Sequence, residues 1–237
     1  VAWLRRCVVS SVVKLAEVAM PMYLVLIGPP GAGKGTQAKV LSEQKNLAHV
    51  SSGDLFRDNI KRQTDLGKQV EAILKRGDLV PDDVTIAMVR DRLKQPDCAA
   101  GAVLDGFPRT PAQAAALNKM LGEFGGKVNL VPYINVSEKS LIERLTGRWT
   151  CKSCGTVFHE KFNPPKAQGK CDKCGGELAQ RPDDQEETVK NRISKYLSET
   201  APLIEYYQKA GVMAELDGEK KIDDVTVQLL AAVAKIR

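Results

Sequence analysis

Short apolar runs alternate with helical stretches along the chain from Met22 onward. The continuous apolar run at residues 23–27 ends at a glycine and predicts a buried strand, and residues 34–44 predict the helix that follows it. Strands that alternate with helices are typical of a parallel sheet covered by helices, so we predict an α/β fold. Further strands are predicted at 102–104, 131–136 and 212–216, and further helices at 67–76, 82–93, 111–124, 138–145, 185–209 and 225–237.

The segment 151–181 interrupts this alternation. It lacks helical periodicity and is rich in Gly, Pro, Lys and Cys, which predicts a small insertion folded around its own centre. Two C-x-x-C pairs at this separation match a four-thiolate zinc ribbon, in which a filled tetrahedral shell makes the metal structural. Disulfides, unmetallated thiols and iron remain alternatives to zinc. The four cysteines are Cys151, Cys154, Cys171 and Cys174.

Residues 1–21 precede the α/β pattern and need a separate interpretation. Their apolar side chains could share one helical face beside basic residues, which resembles a weak transit peptide. Lys14 and Glu17 interrupt any secretory apolar region, and Met20 and Met22 are both candidate start residues. We therefore favour a loosely ordered segment, derived from an upstream translational start or left over from cloning, over a transit function. The apolar positions are Leu4, Val8, Val12, Leu15 and Ala19, and the basic ones are Arg5, Arg6 and Lys14.

Composition narrows the class of protein. The 237 residues are 43% hydrophobic and 27% charged, which is typical of a globular chain that buries its core without disulfides. No apolar run reaches the roughly 18 residues that a membrane span requires, so we expect no membrane partner. Paired cysteines are typical of metal binding in a reducing compartment, so we expect a cytoplasmic protein, and we expect it to be a monomer. The net charge of +6 only slightly favours anionic partners. Cys7 and Cys98 stand alone and are expected to be ordinary thiols.

The strongest chemical signal is the sequence GPPGAGKGT at residues 28–36, which follows a predicted strand and opens a predicted helix. Its glycines let backbone N–H groups turn inward, the helix N-terminus adds positive potential, and Lys34 supplies a charge for terminal phosphates. The sequence therefore predicts a phosphate-binding loop. Gly35 stands where most such loops have a magnesium-binding Ser or Thr, and Thr36 follows one position later, which argues against direct ligation by this hydroxyl.

Several arginines indicate which reaction the loop serves. Arg57 and Arg109 each follow a small glycine-containing turn, and Arg144 and Arg148 have the spacing of neighbours on one helix face. Guanidinium groups bind phosphates bidentately. Two polyphosphate substrates together carry about six negative charges, so the arginines favour transfer between two nucleotides over hydrolysis of one. Arg181 and Arg192, which flank an acidic run, complete the set.

These motifs and their order resemble those of adenylate kinases of the long-lid kind with a cysteine-bearing lid. The resemblance extends over nearly all of residues 22–237 and rests on GPPGAGKGTQA, SSGDLFR, LDGFPRT, RPDDQEETVKNR and TAPLIEYY. It implies the reversible, Mg²⁺-dependent reaction ATP + AMP = 2 ADP. It also implies a P-loop NTPase-like core at 22–50, 81–146 and 185–237, a helical NMP-binding insertion at 51–80 and a zinc-ribbon lid at 147–184.

The same resemblance implies the nucleotide contacts. ATP would lie on Gly31, Ala32, Gly33, Lys34, Gly35, Thr36, Arg144, Arg148, Val157, Phe158 and Lys220. AMP would lie on Ser52, Arg57, Asp78, Leu79, Val80, Gly106, Arg109, Gln113, Arg181 and Arg192. Charge stabilisation during transfer would come from Lys34, Arg109, Arg148, Arg181 and Arg192. Ser52 departs from the threonine most common at its place in the family but keeps the hydroxyl.

Acidic residues and histidines receive separate expectations. The resemblance implies that Asp54 and Asp105 hold Mg²⁺ through water, although each could instead cap a helix or strand end. By the same resemblance Asp183 and its neighbour Asp184 pair with arginines during lid closure, the alternative being a solvated acidic helix start. His49 and His159 are expected to be packing or surface residues, because this phosphoryl transfer needs no imidazole acid or base.

Two other functions remain open. A GTP:AMP phosphotransferase or another NMP kinase would share these motifs, because the base contacts are partly made by the backbone. A zinc-ribbon nucleic-acid-binding protein would share the ribbon and the positive charge. It should show interleaved aromatics and a long basic stripe, but aromatic residues make up only 5% and acidic residues break every basic stretch. We therefore expect ATP, AMP and ADP as partners and no nucleic acid.

Overall fold

A computed structural model describes residues 20–236, and the expectations for Cys7 and for a transit segment fall outside this range. A five-stranded parallel sheet with the order β2-β3-β1-β4-β8 forms its centre and confirms the predicted α/β class. Its strands are β1 (Met22–Leu26), β2 (Ala48–Ser51), β3 (Gly101–Asp105), β4 (Lys127–Asn135) and β8 (Met213–Asp217).

Helices cover both faces of this sheet. Alternate residues of β1 enter two different apolar clusters, Tyr23 and Val25 one of them and Leu24 and Leu26 the other, which is why the whole strand is apolar. None of the helices within 20–236 is long and apolar enough to cross a bilayer. They are α1 (Lys34–Lys45), α2 (Ser52–Lys61), α3 (Asp65–Arg76), α4 (Asp82–Leu93), α5 (Pro111–Glu123), α6 (Glu138–Thr146), α7 (Glu186–Lys195), α8 (Pro202–Lys209) and α9 (Ile222–Val233).

Three sequence predictions differ from the structure. The SSGDLFR motif, predicted as a turn, begins helix α2, and the Ser51 side chain accepts a hydrogen bond from the Asp54 backbone N–H as its N-cap. The strand β2 before it was not predicted. The helix predicted at 185–209 is interrupted by a π-helical turn, Tyr196–Thr200, because Pro202 has no backbone N–H to continue the α-helical pattern.

Two small units flank the sheet. Helices α2 and α3 pack on each other around Phe56, Val70 and Val80. The segment with the cysteines forms a three-stranded antiparallel sheet, with the order β6-β5-β7, around its own apolar cluster. Its strands are β5 (Arg148–Cys151), β6 (Val157–His159) and β7 (Leu178–Ala179).

The topology opens a crevice at the carboxyl ends of the strands. From β1 the chain passes to β2 and β3 on one side, whereas β4 and β8 lie on the other. In open parallel sheets, ligands bind where the strand order reverses in this way. The loop after β1, helix α2 after β2 and the residues after β3 all converge on this edge.

Candidate active site

The phosphate-binding loop curls around its own lysine. Lys34 Nζ donates hydrogen bonds to the backbone oxygens of Gly28 at 2.7 Å and of Pro29 at 2.9 Å. Gly33, the residue before α1, has φ 92°, a left-handed conformation that favours glycine. A Cβ atom at Gly28 would lie 2.7 Å from the Ile134 oxygen, so any larger residue at this position would clash with the backbone. The loop is therefore held in the shape of an anion cradle at the N-terminus of α1.

The charge of Lys34 is set by its surroundings. Burial lowers the pKa of Lys34 to about 8; the Asp105 carboxylate opposes this shift, and Arg109 and Arg192 add to it. An amine among other cations is stabilised in its charged form by a nearby anion. The lowered pKa thus marks the loop as a place where a bound phosphate would restore the positive charge.

A concave cleft lies beside this loop, and small molecules bind in clefts of this kind. Its lining includes the apolar side chains of Phe56, Leu74 and Val80 and the cations Lys34 and Arg192. Predicted AMP contacts that line it are Ser52, Arg57, Asp78, Leu79, Val80, Gly106, Arg109, Gln113 and Arg192. An apolar group of side chains together with clustered cations suits a molecule that has both an aromatic base and a phosphate.

Gly106 joins the polar residues at the end of β3. Its backbone oxygen accepts hydrogen bonds from Ser52 Oγ at 2.6 Å and from Arg109 Nε at 2.8 Å. Gly106 has φ 72°, and a Cβ atom there would lie 2.9 Å from Ser52 Oγ. A side chain at this position would thus displace both polar groups from the cleft.

Arginines crowd this region. Burial lowers the pKa of Arg109 to about 10 and that of Arg181 to about 9, and neighbouring arginines contribute to both shifts. Because a guanidinium stays protonated in proteins, these shifts express the cost of burying each charge, to which the neighbouring like charges add, and not deprotonation. Arg181 does not line the cleft; its Nε donates to Thr150 Oγ1 at 3.1 Å, next to the cysteine-bearing sheet.

Asp184 connects two of the arginines. Its side chain is 0% exposed and accepts hydrogen bonds from Arg148 Nε at 2.8 Å and from Arg192 Nη1 at 3.1 Å. Arg192 also pairs with Asp183 at 2.9 Å. Asp184 is therefore paired with arginines, as the resemblance implies. The alternative interpretation, a solvated acidic helix start, is wrong for this residue. A coupling of these pairs to lid closure stays a prediction.

Two of the predicted ATP contacts, Arg144 and Arg148, lie on two different elements. Arg144 lies near the end of α6, but Arg148 begins β5, so the prediction that they share one helix face is wrong; the helix ends between them at Thr146. Arg144 Nη2 donates to the Gly218 oxygen at 2.8 Å, which places it beside the loop that carries exposed Lys220.

On β6 the two predicted ATP residues differ in their surroundings. Phe158 is 5% exposed and packs in the cluster of the cysteine-bearing sheet, whereas Val157 is half-buried. Alternate residues of a strand point to opposite faces. The contact of Val157 and Phe158 with the base of ATP stays a prediction, and in this structure the buried Phe158 side chain packs inside the sheet.

The two predicted metal-binding aspartates have different partners. Asp105 ends β3, and its Oδ2 lies 3.3 Å from the position a Cβ atom would take at Gly35 in the first turn of α1. Asp54 forms an ion pair with Arg57 at 2.5 Å; burial alone would raise the pKa of Asp54, but Arg57 lowers it. Exposed Thr36 also lies in the first turn of α1. Asp105 is thus the carboxylate directly beside the phosphate loop.

Both histidines are packing residues, as expected. His49 Nε2 is buried 3.9 Å from Asp105 Oδ2, and burial lowers the pKa of His49. His159 is buried at the junction between α6 and the cysteine-bearing sheet. Its Nδ1 accepts hydrogen bonds from the backbone N–H groups of Lys161 and Phe162, and its Nε2 lies 3.2 Å from the Glu143 oxygen.

The four cysteines of the insertion converge. Their sulfur atoms all lie within 4.8 Å of one another, with Cys151 to Cys174 at 3.5 Å and Cys154 to Cys171 at 3.6 Å. Four thiolates around zinc at about 2.3 Å would stand about 3.8 Å apart, whereas a disulfide needs about 2.05 Å. The cluster is therefore compatible with a structural zinc site. The expected lone thiol, Cys98, is buried and accepts a hydrogen bond from Arg92.

Sequence reasoning missed residues in and behind the cleft. Tyr196 and Thr200 of the π-helical turn line the cleft, whereas Asp82, in the first turn of α4, does not line it but accepts hydrogen bonds from Thr110 and Gln113. The sequence predicts Asp82 only as the start of a helix, because its hydrogen-bond partners belong to a different segment of the chain. Pro202 is the residue whose presence indicates that the helix is interrupted here, because its nitrogen has no hydrogen to bond to the preceding turn.

Comparisons with known proteins agree with this geometry. The family model for adenylate kinase matches residues 26–212. An adenylate kinase of Methanocella arvoryzae is 51% identical over 91% of this chain and 100% of its own length. Those of Symbiobacterium thermophilum and Archaeoglobus fulgidus are 50% and 49% identical over the same shares. With the phosphate loop, the cationic cleft and the cysteine cluster in the described residues, the chain belongs to the adenylate kinase family.

Proposed function

We propose that this protein is an adenylate kinase in activity as well as in family, and that it transfers the γ-phosphoryl group of ATP to AMP reversibly, forming two ADP. The observation that carries the proposal is the cluster of cations at the carboxyl ends of β1, β2 and β3, beside an apolar-walled cleft. Lys34, Arg109 and Arg192 lie close together there; burial lowers the pKa of each group, and repulsion from neighbouring cations lowers it further. Two nucleotides joined end to end supply the anionic charge that relieves this repulsion.

The donor nucleotide is proposed to lie on the phosphate loop. Backbone N–H groups of residues 31–36 would bind the terminal phosphates, and Lys34 would exchange its two carbonyl partners for phosphate oxygens. Arg144 and Arg148 approach this region from α6 and β5. We place the base near Arg144, Val157 and the backbone of the loop around Lys220, which Arg144 contacts through Gly218.

The acceptor nucleotide is proposed to lie in the cleft lined by α2, α3 and the residues after β3. Arg57 and Arg109 would bind its phosphate, with Arg181 and Arg192 above the transferring group. The apolar residues Leu79 and Val80, together with Ser52 and Gln113, would receive the base. Residues 51–80 would act as the acceptor-binding arm, and residues 147–184 as a lid.

The reaction requires little covalent chemistry from the protein. An oxygen of the AMP phosphate attacks the γ-phosphorus in line, the bond from that phosphorus to the bridging oxygen breaks, and ADP leaves with the electron pair. Lys34 and the arginines stabilise the negative charge that moves to the bridging oxygen. Closure of the lid would exclude water, which would otherwise accept the phosphoryl group.

Two metals are proposed. Mg²⁺ bound with ATP would supply positive charge that neutralises the donor phosphates, and carboxylates of the protein are suitable ligands for it. Asp105 fits this role, since its oxygen lies beside the first turn of α1, whereas Asp54 must share its carboxylate with Arg57. Zinc would be held by Cys151, Cys154, Cys171 and Cys174, whose sulfur spacing fits a closed tetrahedral shell.

ADP formation from ATP and AMP tests the function. We expect Lys34→Met to lower kcat by at least about 100-fold, because the lysine contributes charge stabilisation during transfer. Lys39→Met, at an exposed position of the same helix, is the matched control and should retain activity. Replacing ATP by GTP, and AMP by CMP, UMP or GMP, distinguishes the GTP-using and other NMP kinases. Equal rates for Lys34→Met and the unchanged protein would refute the assigned cradle.

A further inference from the structure

Asp82 holds the side chain of Gln113 in one position. Gln113 Nε2 donates to Asp82 Oδ1 at 2.7 Å, and Gln113 Oε1 accepts from the Arg109 backbone N–H at 2.8 Å. Thr110 Oγ1 in turn donates to Asp82 Oδ2 at 2.7 Å. Gln113 is 1% exposed and lines the cleft, whereas Asp82 stands behind it. The amide is thus fixed between one acceptor and one donor.

These two partners permit a single orientation of the amide. A carboxylate can only accept a hydrogen bond, and a backbone N–H can only donate one. If the amide turned over, its oxygen would face the Asp82 carboxylate and its NH₂ group would face the Arg109 N–H. Both contacts would be repulsive and buried, which is strongly unfavourable. Asp82 and the Arg109 backbone therefore decide on which side Gln113 carries its donor.

The fixed amide still has capacity for a ligand. Nε2 keeps a second hydrogen and Oε1 a second lone pair, so Gln113 offers one donor and one acceptor in a set order. A 6-amino purine presents an amino donor beside the N1 acceptor, whereas a 6-oxo purine presents an oxygen acceptor beside an N1–H donor. A freely turning amide could match both edges, but an amide held in one orientation matches only one of them.

We propose that Asp82 is a positioning residue that determines base specificity: it fixes the Gln113 amide so that the cleft accepts a 6-amino purine nucleoside monophosphate and rejects a 6-oxo one. The inference rests on the proposed function, because it takes this cleft as the acceptor site. Asp82 acts through Gln113 and makes no contact with the nucleotide itself. Sites built to hydrogen-bond one edge discriminate strongly against a ligand that leaves their buried groups unpaired.

Relative acceptor use tests the proposal. With ATP as donor, kcat/KM is measured for AMP and for inosine monophosphate, which carries the 6-oxo group, on the full chain. Asp82→Asn should lower the AMP to IMP ratio about 10-fold, because a neutral amide at position 82 can either accept or donate and no longer fixes Gln113. Asp82→Ala should lower it in the same direction. Both nucleotides are assayed on one preparation, so the fraction of folded enzyme cancels in the ratio.

Asp83→Asn is the matched control. Asp83 lies in the same first turn of α4, is exposed, and loses the same charge without touching Gln113. We expect its ratio to stay within about 2-fold of the unchanged protein. A ratio that is unaltered in both Asp82 variants, or lowered equally by Asp83→Asn, would overturn the proposal. Failure of the unchanged protein to phosphorylate AMP would instead refute the proposed function.

Discussion

At the scale of single residues, the cleft is organised around cations that repel one another. Burial lowers the pKa of Lys34 most, Asp105 opposes this shift, and Arg109, Arg192 and Arg148 add to it. Arg148 and Arg192 are held in place by buried Asp184. Breaking such a pair by removing one partner typically costs about 3–5 kcal/mol, because it leaves a buried charge without compensation. The arginines are thus positioned before any nucleotide arrives.

The lowered pKa of Lys34 predicts proton uptake when ATP binds. Because that pKa is about 8, much of Lys34 is neutral at pH 8.5 in the free protein, and polyphosphate should raise the pKa and restore its charge. ATP affinity should therefore fall as the pH rises above 8. Calorimetric titration at pH 8.5 in buffers of different ionisation enthalpy should show an uptake of about half a proton or more per site.

Lys34→Met provides the comparison for this titration. Its residual binding should show much smaller uptake, since the arginines stay protonated throughout. Lys39→Met should behave like the unchanged protein. Equal uptake in Lys34→Met and Lys39→Met would assign the proton to another group and would contradict the prediction.

At the scale of elements, the sequence predicted those parts whose signals are local. The apolar run of β1 and the glycine loop after it are contiguous, and the four cysteines carry their spacing with them. Strand β2 was missed because its four residues include His49 and Ser51, whose polar side chains hide the strand pattern. The hydrogen bonds of Asp82 could not be predicted from the sequence, because they depend on how α4 and α5 pack. Packing between distant segments leaves no periodic trace in the chain.

His159 joins the cysteine-bearing sheet to α6, and this contact predicts a selective kinetic effect. Since its Nδ1 accepts two backbone N–H groups, Nε2 carries the hydrogen and donates to the Glu143 oxygen. A Cβ atom at Gly147 would lie 2.5 Å from Nε2, so the ring also fills the junction between Arg144 and Arg148. His159→Ala should raise KM for ATP about 10-fold and leave KM for AMP within about 2-fold.

Replacing His159 by asparagine separates the contribution of Nδ1 from that of Nε2. His159→Asn keeps an acceptor near the Nδ1 position and should recover part of the lost ATP affinity. Lys166→Ala, at an exposed position of the same unit, serves as the control and should leave both KM values unchanged. Equal increases in KM for ATP and AMP would indicate general loss of structure rather than a role at this junction.

The cysteine cluster predicts a metal-dependent element. The apolar core of the cysteine-bearing sheet is small, so its stability should depend on zinc held by the four thiolates. Metal analysis should find about one zinc per chain. A strong chelator, or Cys174→Ser, should lower the melting temperature by about 5 °C or more, a shift that corresponds to about 2 kcal/mol in a chain of this size. Cys98→Ser, at a buried thiol outside the cluster, should leave the zinc content unchanged.

At the scale of the whole molecule, one rigid sheet carries two units with small cores of their own. The clusters around Phe56 and around Cys151 contain few buried side chains, whereas the two clusters on the sheet are large. Units with few buried apolar contacts open at lower free energy than the core of a protein. The cationic residues are shared among all three parts, so bound nucleotides would draw the small units toward the sheet.

This arrangement predicts that a single molecule spanning both sites binds far more tightly than either substrate. Two adenosines joined by a chain of five phosphates would place one base in each site, and linkage makes the second contact intramolecular. Its affinity should exceed that of ATP or AMP alone by about 100-fold or more. Calorimetry should give one such molecule per chain, and bound compound should block subsequent binding of both ATP and AMP. The compound should lose most of its advantage in Lys34→Met but keep it in Lys39→Met. If the compound displaced only one of the two substrates, the cleft would hold a single nucleotide and could not support direct transfer between two.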